Sequence, residues 1–193
     1  MPAADIETIV RSWKISGDSD LEKPASAAQI RKVEERLGLS LSEECVALYR
    51  LCNGADVLSG NISIYPLYGR KRSLLWAANY FRDYDEPIPP GMVVFAGNGL
   101  GGFFGFWPMP DGTTQVIESD GNGSMTVVGT SLARFLRGRS AYYFLGEEAD
   151  APLDLLGLPT HLRTPSMLEG GYELMMCWAD PGLPEARRSS VLF

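Results

Sequence analysis

The chain has 193 residues, a length that suits one domain with a short appendage, and 45% of its residues are hydrophobic. Its 24 acidic and 17 basic residues give a formal net charge of -7, which disfavours a nucleic-acid partner and favours either a basic partner or simple solubility. No run approaches the ~18 apolar residues of a membrane span, and the N-terminus lacks the apolar stretch of a signal peptide. We therefore expect a cytoplasmic protein that contacts no membrane.

Residues 1–24 are predicted to form an N-terminal helix and a linker. An apolar stripe with helical spacing marks the helix, and its members are Ile6, Ile9, Val10 and Trp13. Gly17 is a suitable residue to end this helix. The polar residues 18–24 then connect it to the rest of the chain.

The next helix is predicted by the residues at its two ends. Ser26 followed by Gln29 fits a capping box, in which each side chain satisfies a backbone N–H of the other residue. Gly38 can end the helix in the left-handed conformation. Ile30 and Val33 share its apolar face, which we expect to be buried.

A second capped helix follows directly. Ser40 and Glu43 fit another capping box, and Gly54 is expected to end the helix in the left-handed conformation. Cys45 and Cys52 lie about 10 Å apart along the helix axis, too far for a disulfide bond, so we expect both to be small buried hydrophobic side chains. An odd cysteine count without a CxxC motif indicates a reducing compartment.

The middle of the chain predicts an antiparallel sheet. A strand is expected over residues 62–67, where apolar and polar residues alternate, and a helix over residues 73–82. The prolines of residues 85–91 exclude a helix there. Four further strands are expected at residues 93–95, 103–107, 115–118 and 125–128. The Gly-rich turns between them are too short for a parallel crossover, so these strands are predicted to pair antiparallel.

The pattern weakens after a further predicted helix, which begins at Ser131. Residues 146–171 show no clear period, and residues 172–178 are apolar enough for either a strand or a short helix. Residues 180–193 resemble a tail. We therefore expect residues 146–193 to be a C-terminal extension that packs on the domain or is partly disordered.

No catalytic or metal-binding arrangement is predicted. A nucleophilic triad would have to use His161, the single histidine, which lies in a proline-flanked region. The glycine run of residues 97–102 leads into a strand and not a helix, so it predicts a tight turn and no phosphate-binding loop. Asp111, Glu118 and Asp120 lack the spacing of a calcium loop. We expect no enzyme activity, no cofactor and no metal.

The order of these signals resembles the SUKH superfamily, the Smi/Knr-type domain. In that family a helix ends in Leu-Gly, a Leu-Pro pair starts a second helix, and Asn-Gly precedes a strand. The matching residues here are Leu37-Gly38, Leu41-Ser42 and Asn53-Gly54, with Ser42 where the family usually has proline. With the later strands and helix, the resemblance covers about residues 25–145.

The resemblance implies a fold and a role. The fold is α+β: a small, mostly antiparallel sheet with helices packed around it, here with the C-terminal extension. The role is a non-enzymatic protein-binding domain, in bacteria commonly an immunity protein that binds and neutralises a cognate toxin, possible targets including a basic nuclease. The alternative is a regulatory scaffold or adaptor for a cell-wall or signalling partner.

An aromatic surface is the hypothesis for the contact with a protein partner. In the strand of residues 103–107 only one face needs to be core, so an aromatic residue on the other face is a candidate anchor, because Trp and Tyr carry much interface energy. The alternative is a sheet that is covered on both faces. The candidate contact residues are Trp76, Tyr80, Asp83, Tyr84 and Trp107.

Overall fold

An antiparallel sheet forms the middle of the structure, a computed structural model that describes residues 2–69, 72–81, 88–89, 91–109, 114–164 and 171–189. Within these residues the sheet has seven strands, which lie side by side in chain order. They are β1 (Asp20–Leu21), β2 (Ala55–Val57), β3 (Ile62–Ile64), β4 (Val93–Gly97), β5 (Phe103–Pro108), β6 (Thr114–Ser119) and β7 (Met125–Gly129). All neighbours pair antiparallel, so the predicted pairing of the four later strands is confirmed.

Helices pack around this sheet, and the predicted α+β class is confirmed. The α-helices of the described residues are α1 (Pro2–Ser16), α2 (Ala27–Leu37), α3 (Glu43–Leu51), α4 (Leu74–Tyr80), α5 (Leu132–Gly146), α6 (Asp150–Leu156), α7 (Tyr172–Ala179) and α8 (Leu183–Ser189). Among them, none combines the length and the apolar character that crossing a membrane requires.

Local chemistry sets the ends of α2 as the sequence predicts. The hydroxyl of Ser26 accepts a hydrogen bond from the backbone N–H of Gln29 at 3.2 Å, and the Gln29 side chain accepts from the N–H of Ser26 at 2.8 Å. Gly38 has a φ of 69°, the left-handed conformation of a helix C-cap. The predicted capping box is therefore confirmed at both of its hydrogen bonds.

The predicted ends of α3 are wrong at both termini. Its N-cap is Ser42, which accepts from the N–H of Cys45 at 3.3 Å, and not Ser40. The helix already ends at Leu51, and Gly54 has a φ of 122°, outside the left-handed helical region. A Cβ at Gly54 would lie 3.2 Å from side-chain atoms of Glu22 and Pro66, so the glycine is needed for the entry into β2 and not for a helix cap.

The main core lies between the sheet and the helices on one of its faces. Phe104 of β5 packs against Phe135 of α5 with ring centroids 4.8 Å apart. Helix α1 covers α3, α5 and α6, and the indole N–H of Trp13 donates to the hydroxyl of Ser140 at 2.8 Å. Both partners are fully buried, so the hydrogen bond satisfies two polar groups that would otherwise be costly in the core.

The C-terminal helices are anchored to the sheet by hydrogen bonds. The buried carboxylate of Asp180 accepts from the N–H and the hydroxyl of Thr130, at 2.5 and 2.7 Å. Arg187 of α8 donates to the carbonyl of Val127, on the edge strand β7, at 2.6 Å. The expectation of a tail is therefore wrong for residues 183–189, and the apolar residues 172–178 lie in helix α7. The domain boundaries at residues 25 and 145 stay a prediction.

Replacing Asp180 tests this anchor. Asp180→Ala is expected to lower the free energy of unfolding by about 1 to 3 kcal/mol, because it leaves the donors of Thr130 without their acceptor. Urea denaturation measures this change. Asp154→Ala is the control, since its carboxylate is 71% exposed and pairs with Arg163 at the surface, where such pairs contribute about 1 kcal/mol or less. An equal loss in both variants would contradict the anchoring role.

Candidate protein-binding surface

One row of residues crosses the sheet on the face that is turned away from α5. Phe103 and Phe104 point to opposite faces of β5, and Phe104 meets α5. The strand register places the residues of the Phe103 row side by side: Asp20, Asp56, Ser63, Gly97, Phe103, Ser119 and Met125. We call this side of the sheet the outer face.

Helix α4 covers the middle of the outer face. The hydroxyl of Ser73 accepts from the N–H of Trp76 at 3.2 Å and so caps the helix. Two residues of the helix, Leu74 and Ala77, are fully buried. At its C-terminal end, the ring of Phe81 packs against Phe103 with centroids 4.5 Å apart. The cover extends along β5, where Met92 lies directly over Gly105.

The structure brings two of the predicted contact residues together on α4. Trp76 and Tyr80 lie four residues apart, and their rings stack with centroids 4.6 Å apart and an interplanar angle of 21°. Trp76 is half-buried, and Tyr80 is 42% exposed. The stacked pair therefore presents a rigid aromatic edge to solvent beside the covered part of the outer face.

The other predicted contact residues are not brought to this pair. Trp107 is half-buried on the same face of β5 as Phe103, but about 13 Å further along the strand. The strand is buried on both faces over residues 103–106, so the alternative of a doubly covered sheet describes this segment. Asp83 and Tyr84 lie outside the described residues. A contact role for all five residues stays a prediction.

The open end of the outer face is acidic, and sequence reasoning missed it. Asp20 of β1 lies directly opposite Asp56 of β2, and both are exposed. Glu22, also exposed, lines the same recess of about 260 Å³ together with Tyr65 and Arg72. The described part of the chain places no ion pair on any of the three carboxylates. Like charges directly opposite each other destabilise a sheet, so this pair costs the free chain some stability.

The phenol of Tyr65 gives the acidic recess a hydrogen-bond donor. Burial raises the pKa of Tyr65, and the positive charge of Arg72 opposes this effect only in part. The phenol is therefore protonated at neutral pH and able to donate. The sequence signal for this site is the apolar, polar, apolar order of Ala55, Asp56 and Val57, which matches their alternating burial. A strand of three residues is too short to be recognised from this period.

Among the described residues, those considered for catalysis do not assemble into a site, and Asp111 lies outside the described residues. His161 is exposed in a short 3₁₀ helix, Thr160–Leu162. Among the described residues, no group of three or more His, Cys, Asp or Glu side chains is placed to hold a metal ion. The glycine run forms the predicted turn between β4 and β5, in which the side-chain oxygen of Asn98 accepts from the N–H of Gly102 at 2.8 Å.

The buried thiols are also poor nucleophiles. Burial raises the pKa of Cys45 to about 12 and that of Cys52 to about 12, because the core disfavours the thiolate. Cys45 lies on the buried side of α3 and Cys52 directly follows the helix, and both are buried, as the sequence predicts. They act as small hydrophobic side chains in the core.

Thiol labelling tests this burial. At pH 8, iodoacetamide should modify Cys45 and Cys52 at least ~100-fold more slowly in the folded chain than in urea, because the thiolate is both scarce and enclosed. Peptide mass spectrometry measures each rate separately. The half-buried Cys177 is the internal control and should react first. Equal rates at all three cysteines in the folded chain would contradict the buried positions.

Comparison with known proteins identifies the family. A comparison with curated proteins gives no match for the chain. The family model described as SMI1 / KNR4 family (SUKH-1) matches residues 24–138, a stretch that contains α2 to α4, strands β2 to β7 and the first half of α5. The sequence resemblance to the SUKH superfamily is thereby confirmed: the chain belongs to the SMI1 / KNR4 family (SUKH-1).

Proposed function

We propose that the chain is an immunity-type protein-binding domain, which binds a cognate toxin in the cytoplasm and neutralises it without chemistry of its own. Family membership supports a protein partner. The observation that carries the proposal further is the outer face, where the stacked Trp76–Tyr80 pair lies on the same side of the sheet as the exposed acidic residues Asp20 and Asp56. Aromatic anchors with charged surroundings are typical of protein interfaces.

The mechanism that fits this surface is occlusion. Asp20, Glu22 and Asp56 would face basic residues of the toxin, and this attraction would speed association. The aromatic pair would supply the slow dissociation, because buried aromatic anchors carry most of an interface's binding energy. A basic nuclease is the toxin class that suits these charges best, since its own substrate is an anion.

A binding experiment with the product of the neighbouring reading frame tests the proposal. The two chains should co-purify, and expression of the chain should restore growth of cells that produce the toxin. Binding without growth rescue would favour the alternative role as a regulatory scaffold or adaptor for a cell-wall or signalling partner. If that product is not a toxin and does not bind, the immunity role is wrong.

The aromatic anchor is tested by Tyr80→Ala. If the stacked pair contacts the toxin, this variant should weaken binding by about 2 kcal/mol or more, or roughly 30-fold, in titration calorimetry. Its melting temperature should change little, because Tyr80 is 42% exposed. Leu174→Ala is the matched control, since Leu174 is an exposed hydrophobic residue on α7. Unchanged affinity in Tyr80→Ala would exclude this part of the surface.

The acidic pair is tested by the double variant Asp20→Asn, Asp56→Asn, which should stabilise the free chain but slow its association with the toxin. The free chain should become more stable by about 0.2 to 1 kcal/mol, because a like-charge pair is removed. Association with the toxin should slow, and the difference should disappear at high salt. Glu7→Gln, Glu35→Gln is the control with the same change in net charge on exposed helix positions. Equal slowing in the control would show that only net charge matters.

A further inference from the structure

A second concave site lies at one end of the sheet, on the side of α5. Successive antiparallel strands place the β2–β3, β4–β5 and β6–β7 turns at the same end. Between the first of these turns and the C-terminal end of α5 is a cavity of about 300 Å³. Its walls include Leu58, Asn61, Arg139, Tyr142, Tyr143 and Glu147. Arg139 approaches Glu118, which pairs with Phe104 and therefore lies on the α5 side of the sheet. The cavity is thus on the opposite side of the sheet from the outer face.

One wall of the cavity is held in a costly backbone conformation. Leu58 and Ser59 have φ values of 56° and 52°, in the left-handed region that residues other than glycine avoid. Burial of the Leu58 side chain and two hydrogen bonds maintain this conformation. The Asn61 side chain donates to the Leu58 carbonyl at 2.6 Å, and the hydroxyls of Ser59 and Tyr143 share a 2.6 Å hydrogen bond. Backbone strain of this kind persists where the surroundings over-determine it, and it is concentrated at ligand-binding sites.

The neighbouring turn packs against this wall through glycine. A Cβ on Gly99 would lie 2.6 Å from the carbonyl oxygen of Gly60, so the two backbones touch. In the same turn, the side-chain oxygen of Asn98 accepts from the N–H of Leu100 at 3.0 Å and holds this residue at the tip. Leu100 is 88% exposed. This turn, next to the cavity wall, is therefore preformed and displays an apolar side chain at its tip.

The cavity wall contains one basic residue, Arg139, whose charge is compensated, and one exposed acidic residue, Glu147. Arg139 lies 3.8 Å from Glu118, donates to the hydroxyl of Tyr172 at 3.1 Å and stacks over Phe104 at 5.2 Å. Its charge is thereby compensated within the protein. Glu147 lines the cavity at its exposed edge, and the adjacent Glu148 is also exposed; among the described residues neither forms an ion pair.

We propose that this cavity is a second protein-docking site, which receives one aromatic side chain from a basic segment of a partner protein. The tyrosine rings offer edge-to-face packing to an aromatic ring, and the side-chain oxygen of Asn61 offers a hydrogen-bond acceptor. Glu147 and the adjacent Glu148 select lysine or arginine on either side of that ring. The site is independent of the proposed toxin-binding face, since the two surfaces lie on opposite sides of the sheet. A chain with both sites can hold two proteins at once.

Three blocked tripeptides test the proposal with the isotope-labelled full chain and NMR titration. Acetyl-Lys-Trp-Lys-amide should shift the amide signals of residues 58–61 and 142–147, with a dissociation constant on the order of millimolar, as about ten apolar atoms can supply. Acetyl-Lys-Ala-Lys-amide, which lacks the ring, should bind at least ~10-fold more weakly. Acetyl-Glu-Trp-Glu-amide should also bind several-fold more weakly.

Variants of the chain assign the effect to the cavity. Glu147→Lys should reduce the affinity for acetyl-Lys-Trp-Lys-amide several-fold, whereas Glu35→Lys, the same charge change on exposed α2, should not. The docking site is refuted if the basic aromatic peptide shifts no cavity residue. It is also refuted if the alanine peptide binds equally well, because binding would then rest on charge alone. Equal binding of the acidic peptide would refute a basic partner. These outcomes are read from the unmodified chain, so they do not depend on a variant that folds.

Discussion

The structure depends on β5 being buried on both faces. Phe104 packs on α5 and Phe103 packs under the end of α4, so this strand is held between two helical layers. The second layer is small, because α4 spans only Leu74–Tyr80 and covers only the middle of the outer face. The same arrangement that secures the sheet therefore leaves β1 to β3 open. The acidic residues of those strands can face water there, and a partner can reach them.

Local chemistry explains which elements could be predicted from the sequence. Helix α2 is recognisable because Ser26, Gln29 and Gly38 each have a specific function at its ends. Strands β4 to β7 are recognisable because runs rich in β-branched and aromatic residues alternate with Gly-rich turns. In both cases the signal lies within a few residues of the element it specifies. The stacking of Trp76 on Tyr80 follows in the same way from helical spacing.

The features that were missed depend on contacts between distant parts of the chain. Ser40 and Ser42 are both acceptable N-caps, and the core packing of the intervening Leu41 cannot be read from the local sequence. Helix α8 is defined by Asp180 and by the bond from Arg187 to β7, which no short window of sequence contains. The acidic pair depends on register, because a strand of two or three residues has no readable period.

The two proposed surfaces share the β2–β3 hairpin, which departs at two points from the usual preferences for cross-strand charge pairs and backbone conformation. Asp56 lies opposite another aspartate on the outer face, and Leu58 and Ser59 adopt left-handed conformations at the cavity. Each feature costs free energy, and both persist because Val57 and Ile62 anchor the hairpin in the core with no exposed surface. Natural sequences depart from local preference mainly at functional sites. That both departures occur in one hairpin, each beside an open recess, is the strongest physical reason to look for partners there.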